Sequence, residues 1–326
     1  MARRVALGGD QQTTVSVPTP PVSARTSRAP WQARFALLAA IWGCSFLFIK
    51  VGDEALAPLQ VALGRMIVGI LTLLLVLVVR GERLPRTLRL WGHLAVAGLV
   101  SNALPFSLYA YGETRVTSVL AGIWNATTPL VTLLVVLLAL PEERPSRERI
   151  AGLLLGFAGA GVVLGVWRGI GSQELLGNLA CFGAAACYGI GFPYARRHLA
   201  GRPESAIALS AAQLLCGTAE LAIVTPFFTS APALLPLRVV GSILALGALG
   251  TGAAYVLNYG LLREVGATAT STVTYVIPLF ATVVGVLVLG EPLTWNEPVG
   301  AVVVLLGILV SQGRLSALRR GLRSPR

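Results

Sequence analysis

Lysine, histidine and cysteine are nearly absent from this chain of 326 residues: Lys50 is its one lysine, and there are two histidines and four cysteines. Cys44, Cys181, Cys187 and Cys216 lie in apolar stretches with neither CxxC nor Cys/His ligand spacing. That pattern argues against a disulfide framework and a zinc site and leaves them as small buried hydrophobes. His93 and His198 stand far apart and read as interfacial residues, so neither a metal nor a cofactor is expected. No Walker-type phosphate loop is present, which speaks against direct ATP drive. A channel would show a pore-loop filter or rings of charge, and a membrane enzyme would show assembled carboxylates, histidines or a metal cluster; neither pattern is found, so no enzymatic activity is expected. Those two classes are the alternatives to the reading below.

Charge is scarce as well. Only 12% of residues are charged against 55% hydrophobic, too little polar surface for a soluble domain of this size. The net charge of +12 would suggest nucleic-acid binding in a soluble protein. Here the bases fall between apolar runs and at the chain ends, where they act as orientation signals and attract lipid headgroups, so the expected partner is a bilayer and not a nucleic acid.

What the chain does have is a succession of uncharged segments of roughly 20 residues, the length a tilted helix needs to cross about 30 Å of hydrocarbon. They predict helices at 35–51, 57–79, 91–112, 117–140 and 150–167, then at 175–195, 206–228, 239–262, 266–290 and 298–313. The runs are continuous and rich in Leu, Ala, Val and Gly, without the alternating polarity of a barrel, so the expected fold class is an all-α integral membrane protein of ten transmembrane helices. Trp31, Trp91, Trp167 and Trp295 fall at helix ends, where an indole sits in the headgroup layer. Residues 1–33 lack a signal-type apolar core and are expected to form a disordered cytoplasmic tail, with a second basic cytoplasmic tail at 314–326. With both ends inside, the connections and tails carry 21 bases on the cytoplasmic side and four outside, which places a multi-pass protein in the plasma (inner) membrane.

The chain also repeats itself. A shift of 146 aligns Trp42, Gly43, Phe46 and Lys50 with Tyr188, Gly189, Phe192 and Arg196, and a shift of 149 aligns Gly98, Val116, Pro129 and Glu142 with Gly247, Val265, Pro278 and Glu291. Two five-helix repeats follow, 34–168 and 174–313, and because five is odd the second enters the bilayer from the opposite side. Inverted repeats can exchange conformations, which makes alternating access the natural mechanism. On the aromatic-Gly-x-x-Phe element of each half, Arg65, the paired prolines, Glu142 and Glu291-Pro292, the sequence resembles the drug/metabolite transporter superfamily, in its ten-helix EamA-type branch. That resemblance implies a secondary transporter for a small metabolite, an amino acid or related compound or a drug-like molecule, with export the expected direction. The second half departs from the pattern by offering Gln213 near the position equivalent to Arg65.

Polar groups inside lipid should face the bundle interior. Asn102, Tyr109, Trp124, Asn125, Tyr255, Asn258, Thr270, Thr274 and Tyr275, with Trp42 and Tyr188, are therefore the substrate-cavity candidates, the alternative being interhelical hydrogen bonding. Pro129 and Pro278 are expected to kink their helices and free the carbonyls of Asn125 and Thr274. Arg65 and Glu220 sit at similar depths, roughly 9 and 12 Å from the outer helix ends, and are read as an ion pair or shared pocket, with Glu220 the candidate for proton coupling. The glycines 152, 156, 159, 161 and 165 allow close packing within the monomer or, as an alternative, a homodimer contact.

Overall fold

The computed structural model describes residues 30–139, 146–165, 167, 172–199, 201–232, 234–271 and 273–311. Among these residues the chain is helical, without strands: α1 (Trp31–Gly52), α2 (Pro58–Arg80), α3 (Leu88–Gly98), α4 (Leu104–Glu113), α5 (Ser118–Asn125), α6 (Thr128–Ala139), α7 (Arg147–Leu164), α8 (Ser172–His198), α9 (Ala206–Phe228), α10 (Leu237–Gly247), α11 (Ala254–Ser271), α12 (Val273–Leu289) and α13 (Asn296–Ser311). A π-type turn at Leu99–Ala103 joins α3 to α4 and another at Ala248–Ala253 joins α10 to α11. Among the described residues seven stretches are long and apolar enough to cross a membrane, namely α1, α2, α3 with α4, the run Ser118–Val135 over α5 and α6, α8, α9, and α10 with α11, while α12 and α13 are shorter apolar helices. The outward faces of these helices and of α7 carry Leu71, Leu75, Val78, Leu154, Phe227 and Leu287, all exposed. A belt of that kind belongs in hydrocarbon, because it far exceeds the scattered apolar residues of a soluble surface.

Among the described residues each expected segment overlaps helix, and the larger departures fall in the fourth, eighth and ninth segments. The fourth segment breaks at Ala126–Thr127, where the Thr127 hydroxyl and amide both donate to the Trp124 carbonyl at 2.7 and 3.0 Å and so end α5. Pro129 therefore lies in the first turn of α6 and not at a mid-helix kink; its missing N–H falls where a helix has no internal acceptor to lose. Pro278 does lie inside α12. The eighth segment continues to Ser271 and the ninth begins at Val273, so Thr270 and Thr274 are on different helices and share no face. Trp31 opens α1, Trp91 lies in the first turn of α3 and Trp295 precedes α13, where it stacks on Trp167. Glu142 and the segments 1–29 and 312–326 lie outside the described residues.

Packing across the molecule is reciprocal. With α1, α2, α3, α4, α6 and α7 matched to α8, α9, α10, α11, α12 and α13, α3 packs on α9 as α10 does on α2, and α1 on α12 as α8 does on α6. Likewise α4 packs on α8 as α11 does on α1, while α2 meets α9 and α7 meets α13. The last contact is a glycine seam: a Cβ on Gly152 would lie 2.4 Å from Ser311 N, and one on Gly307 would lie 2.5 Å from Gly156 N. Backbone touches backbone there, so Gly152, Gly156 and Gly159 pack within the molecule, whereas a Cβ on Gly161 would meet open space.

Candidate functional site

Between the halves lies a cavity of about 250 Å³. Its wall is built from equivalent positions of the two repeats. Trp42, Ser45, Phe46 and Ile49 of α1 face it together with Tyr188, Gly191, Phe192 and Ala195 of α8, each pair separated by 146 residues. Phe106, Tyr109, Asn125 and Thr128 face it with Tyr255, Asn258, Thr274 and Ile277, each separated by 149. Arg65 faces it with Gln213. Ser101, Ser210 and Tyr259 complete the lining.

The π turns explain how polar groups reach the centre. A π turn rotates the helix that follows it and leaves carbonyls free of the regular ladder. In the first, fully buried Asn102 donates to the Tyr255 hydroxyl at 2.7 Å and accepts from Gln213 Nε2 at 2.7 Å. In the second, fully buried Thr251 accepts from Arg65 Nε at 2.9 Å, and Gly250 presents its carbonyl to the same guanidinium. Asn102 and Thr251 are themselves 149 positions apart, so each half sends a side chain of its second rod to the turn of the other half. The guanidinium also lies over the Phe106 ring, 3.8 Å from its centroid. Among the described residues no carboxylate lines the cavity, which leaves a buried cation stacked on an aromatic ring at its wall.

Equivalent residues are unequally buried. Phe46 is 6% exposed and Phe192 55%; Ile49 and Tyr109 are buried where Ala195 and Asn258 are half-exposed. Phe46 meets Tyr109 edge-to-face at 5.5 Å, forming an aromatic layer that shuts this end of the cavity.

Of the residues read from the sequence, the structure brings Trp42, Tyr109, Asn125, Tyr188, Tyr255, Asn258, Thr274 and Arg65 to this wall. Asn102 stands just behind it. Trp124 does not face it; its indole N–H donates to Asn178 at 2.7 Å. Thr270 is buried away from the lining, and Tyr275 packs beside Leu130, Val304 and Ile308. Arg65 and Glu220 are not paired: the guanidinium serves the second π turn, and Glu220, half-buried on α9, is absent from the wall. Sequence reading missed Ser45, Phe46, Phe106, Thr128, Phe192, Ser210, Gln213 and Tyr259 as wall residues; carrying each candidate across the repeat would have found Phe106 from Tyr255. His93 and His198, distant in sequence, stack at 4.4 Å, and His93 Nδ1 is 2.9 Å from the Tyr194 hydroxyl. Among the described residues no group of three metal-type side chains forms.

Comparison with known proteins agrees with this duplicated architecture. The sequence model described as the EamA-like transporter family matches residues 31–165 and again 175–312. Over 273 residues the chain is 25% identical to the "Uncharacterized transporter YoaV" of Bacillus subtilis (strain 168), covering 83% of this chain and 92% of that one. Over 286 residues it is 28% identical to the "Uncharacterized inner membrane transporter YedA" of Escherichia coli (strain K12), covering 86% and 90%. One solved crystal structure superposes with a TM-score of 0.62 at 19% identity over 91% of this chain and all of that one, a likeness of fold.

Proposed function

The chain belongs to the EamA-like transporter family, and from that premise we propose that it is a secondary transporter that carries a small carboxylate-bearing metabolite, an amino acid or related compound, out of the cell by alternating access. The observation that carries this reading is the unequal burial of equivalent residues around one cavity. Two copies of one unit that face the same chamber yet differ in exposure are what a carrier caught in one of two exchangeable states would display. In the membrane, the repeats are 34–168 and 174–313, inverted with respect to each other, with the tails 1–33 and 314–326 in the cytoplasm. The basic connections then lie inside, the Phe46–Tyr109 end faces out, and the Phe192–Ala195 end faces the cytoplasm, from which an exporter loads.

Size and charge narrow the cargo. At about 250 Å³ the cavity is smaller than the roughly 300–1,000 Å³ of drug-sized sites, which favours a metabolite over a bulky drug. Arg65 supplies a planar fork for a carboxylate, and the aromatic residues supply apolar walls. The test is counterflow in proteoliposomes with radiolabelled amino acids, their methyl esters, cations and nucleosides. Saturable exchange of a free acid, lost on esterification, is the expected result; non-saturating leak, or equal exchange of acid and ester, would defeat the reading.

A further inference from the structure

One helical turn past the closed end of the cavity lies a group of charges that the transport reading leaves unused. Lys50 and Asp53 follow the wall residues Phe46 and Ile49 by four positions, and Glu113 follows Tyr109 by four. Each is thus about 6 Å beyond the wall. Lys50 Nζ donates to the backbone carbonyls of Glu113 and, at 2.8 Å, Val116, tying the end of α1 to the turn between α4 and α5. Glu291 is engaged elsewhere, accepting from Ser118 N and Oγ and from Val119 N at the start of α5. Glu113 is 0% exposed, and among the described residues neither its carboxyl oxygens nor those of Asp53 have a hydrogen-bond partner.

The groups acting on Glu113 come from every side: Asp53 and Lys50 at the end of α1, Glu291 from the connection after α12 and Arg65 from α2. Tyr109 on its own helix and Cys181 on α8 are its further neighbours. Arg115 is turned away, stacked over Tyr111 and bonded to Gln173, Thr114 and the Tyr111 carbonyl. Two buried carboxyls therefore face one ammonium whose hydrogen bonds go to carbonyls. An ionised carboxylate buried without donors is costly, and the neutral acid much less so. The repeat makes the arrangement one-sided: the positions equivalent to Asp53 and Glu113 are Leu199 and Leu262. Neither of those two positions at the opposite mouth carries an acid.

We propose that Glu113 and Asp53 form a proton-binding site at the outer mouth, holding protons while that mouth is shut and releasing them to external water when it opens. This rests on the alternating-access reading. Protons leave on the side from which they came, so the site gates the carrier and does not drive it; external acid favours the outward-closed state in which an exporter loads. Asp53, just outside the span of α1, supports the direction: burial pushes its carboxyl up to about 8 despite the nearby Lys50. The closed form then binds more protons than a hydrated one between the ordinary carboxylate range and about pH 8, so its stability is full at acid pH and falls as pH rises through that window.

The test uses full-length protein in nanodiscs with the four native cysteines replaced and spin labels at Glu54 and Thr114 (outer mouth) or at Arg197 and Arg263 (inner mouth). From about pH 6 to about pH 9 the ratio of closed to open outer mouths should fall at least tenfold, with the inner pair moving oppositely. In the Glu113→Gln, Asp53→Asn double variant the ratio should stay within about twofold. A ratio in the unsubstituted protein that ignores pH, or an equal pH response in the double variant, would overturn the proton site while leaving alternation intact. One fixed distance for both pairs at every pH would instead remove alternating access, and the proton site with it.

Discussion

Arg65 and Gln213 occupy matched positions in the two halves, and each reaches the buried π turn of the other half, yet only one carries charge. A glutamine at position 65 can keep the bond to Thr251 that Gln213 already makes to Asn102, so Arg65→Gln should fold. What it removes is the cation. Charged hydrogen bonds contribute about 1.5–3 kcal/mol, so exchange of a free-acid substrate should weaken by roughly ten- to a hundredfold in half-saturating concentration, while Arg65→Lys should recover only part. Counterflow titration reads both. Trp124→Phe should behave in the opposite way, since its indole bonds to Asn178 outside the cavity: substrate affinity stays within about twofold, and a thermal melt shows a loss of about 1 kcal/mol from the unpaired amide oxygen. At this scale the sequence was half legible. Polarity in an apolar run exposed Tyr109, Asn125 and Tyr255, but the same signal selected Trp124, because an indole facing a cavity and one facing a buried asparagine look alike in one dimension. Phe106 and Phe192 carried no polar signal. Asp53 and Glu113 were passed over because a charge at the edge of an apolar run reads as its hydrated end.

Among the elements, the π turns and the glycine seam do most to position the site. Positions of helices were legible because each needs an uncharged stretch of bilayer length. Their internal breaks were not. A π turn needs no special residue, and both turns here follow a glycine, Gly98 and Gly247, whose missing side chain lets the backbone approach α9 or α2. The proline at 129 looked like a kink because the Thr127 bonds that end α5 one turn earlier depend on side-chain geometry. The seam between α7 and α13 offers a direct test. A side chain at Gly307 would enter the backbone of α7, whereas Gly161 has open space around its Cβ position. Gly307→Leu should therefore destabilise the protein by about 3 kcal/mol or more and Gly161→Leu by less than about 0.5. Melting temperatures in detergent compare them; equal losses would show that the seam does not hold these helices together.

For the whole molecule, duplication was visible in the spacing of Trp42, Gly43 and Phe46 against Tyr188, Gly189 and Phe192, but the inequality between the copies was not. Equivalent positions carry no mark of which copy is buried, because that depends on how the helices pack in three dimensions. That inequality gives the proposed mechanism a signed consequence. Phe46 is buried here and Phe192 largely exposed; when the mouths exchange, their environments exchange too. Phe46→Ala should therefore remove about 3 kcal/mol from the state seen here and little from the other, moving the population about a hundredfold toward an open outer mouth. Phe192→Ala, at the equivalent position, should move it the opposite way by a similar factor, because its packing is lost only from the alternative state. The spin-label pairs at the two mouths measure both shifts without knowledge of the substrate. Shifts of the same sign would mean that the two phenylalanines stabilise a single resting structure, and that the halves do not alternate around the cavity they share.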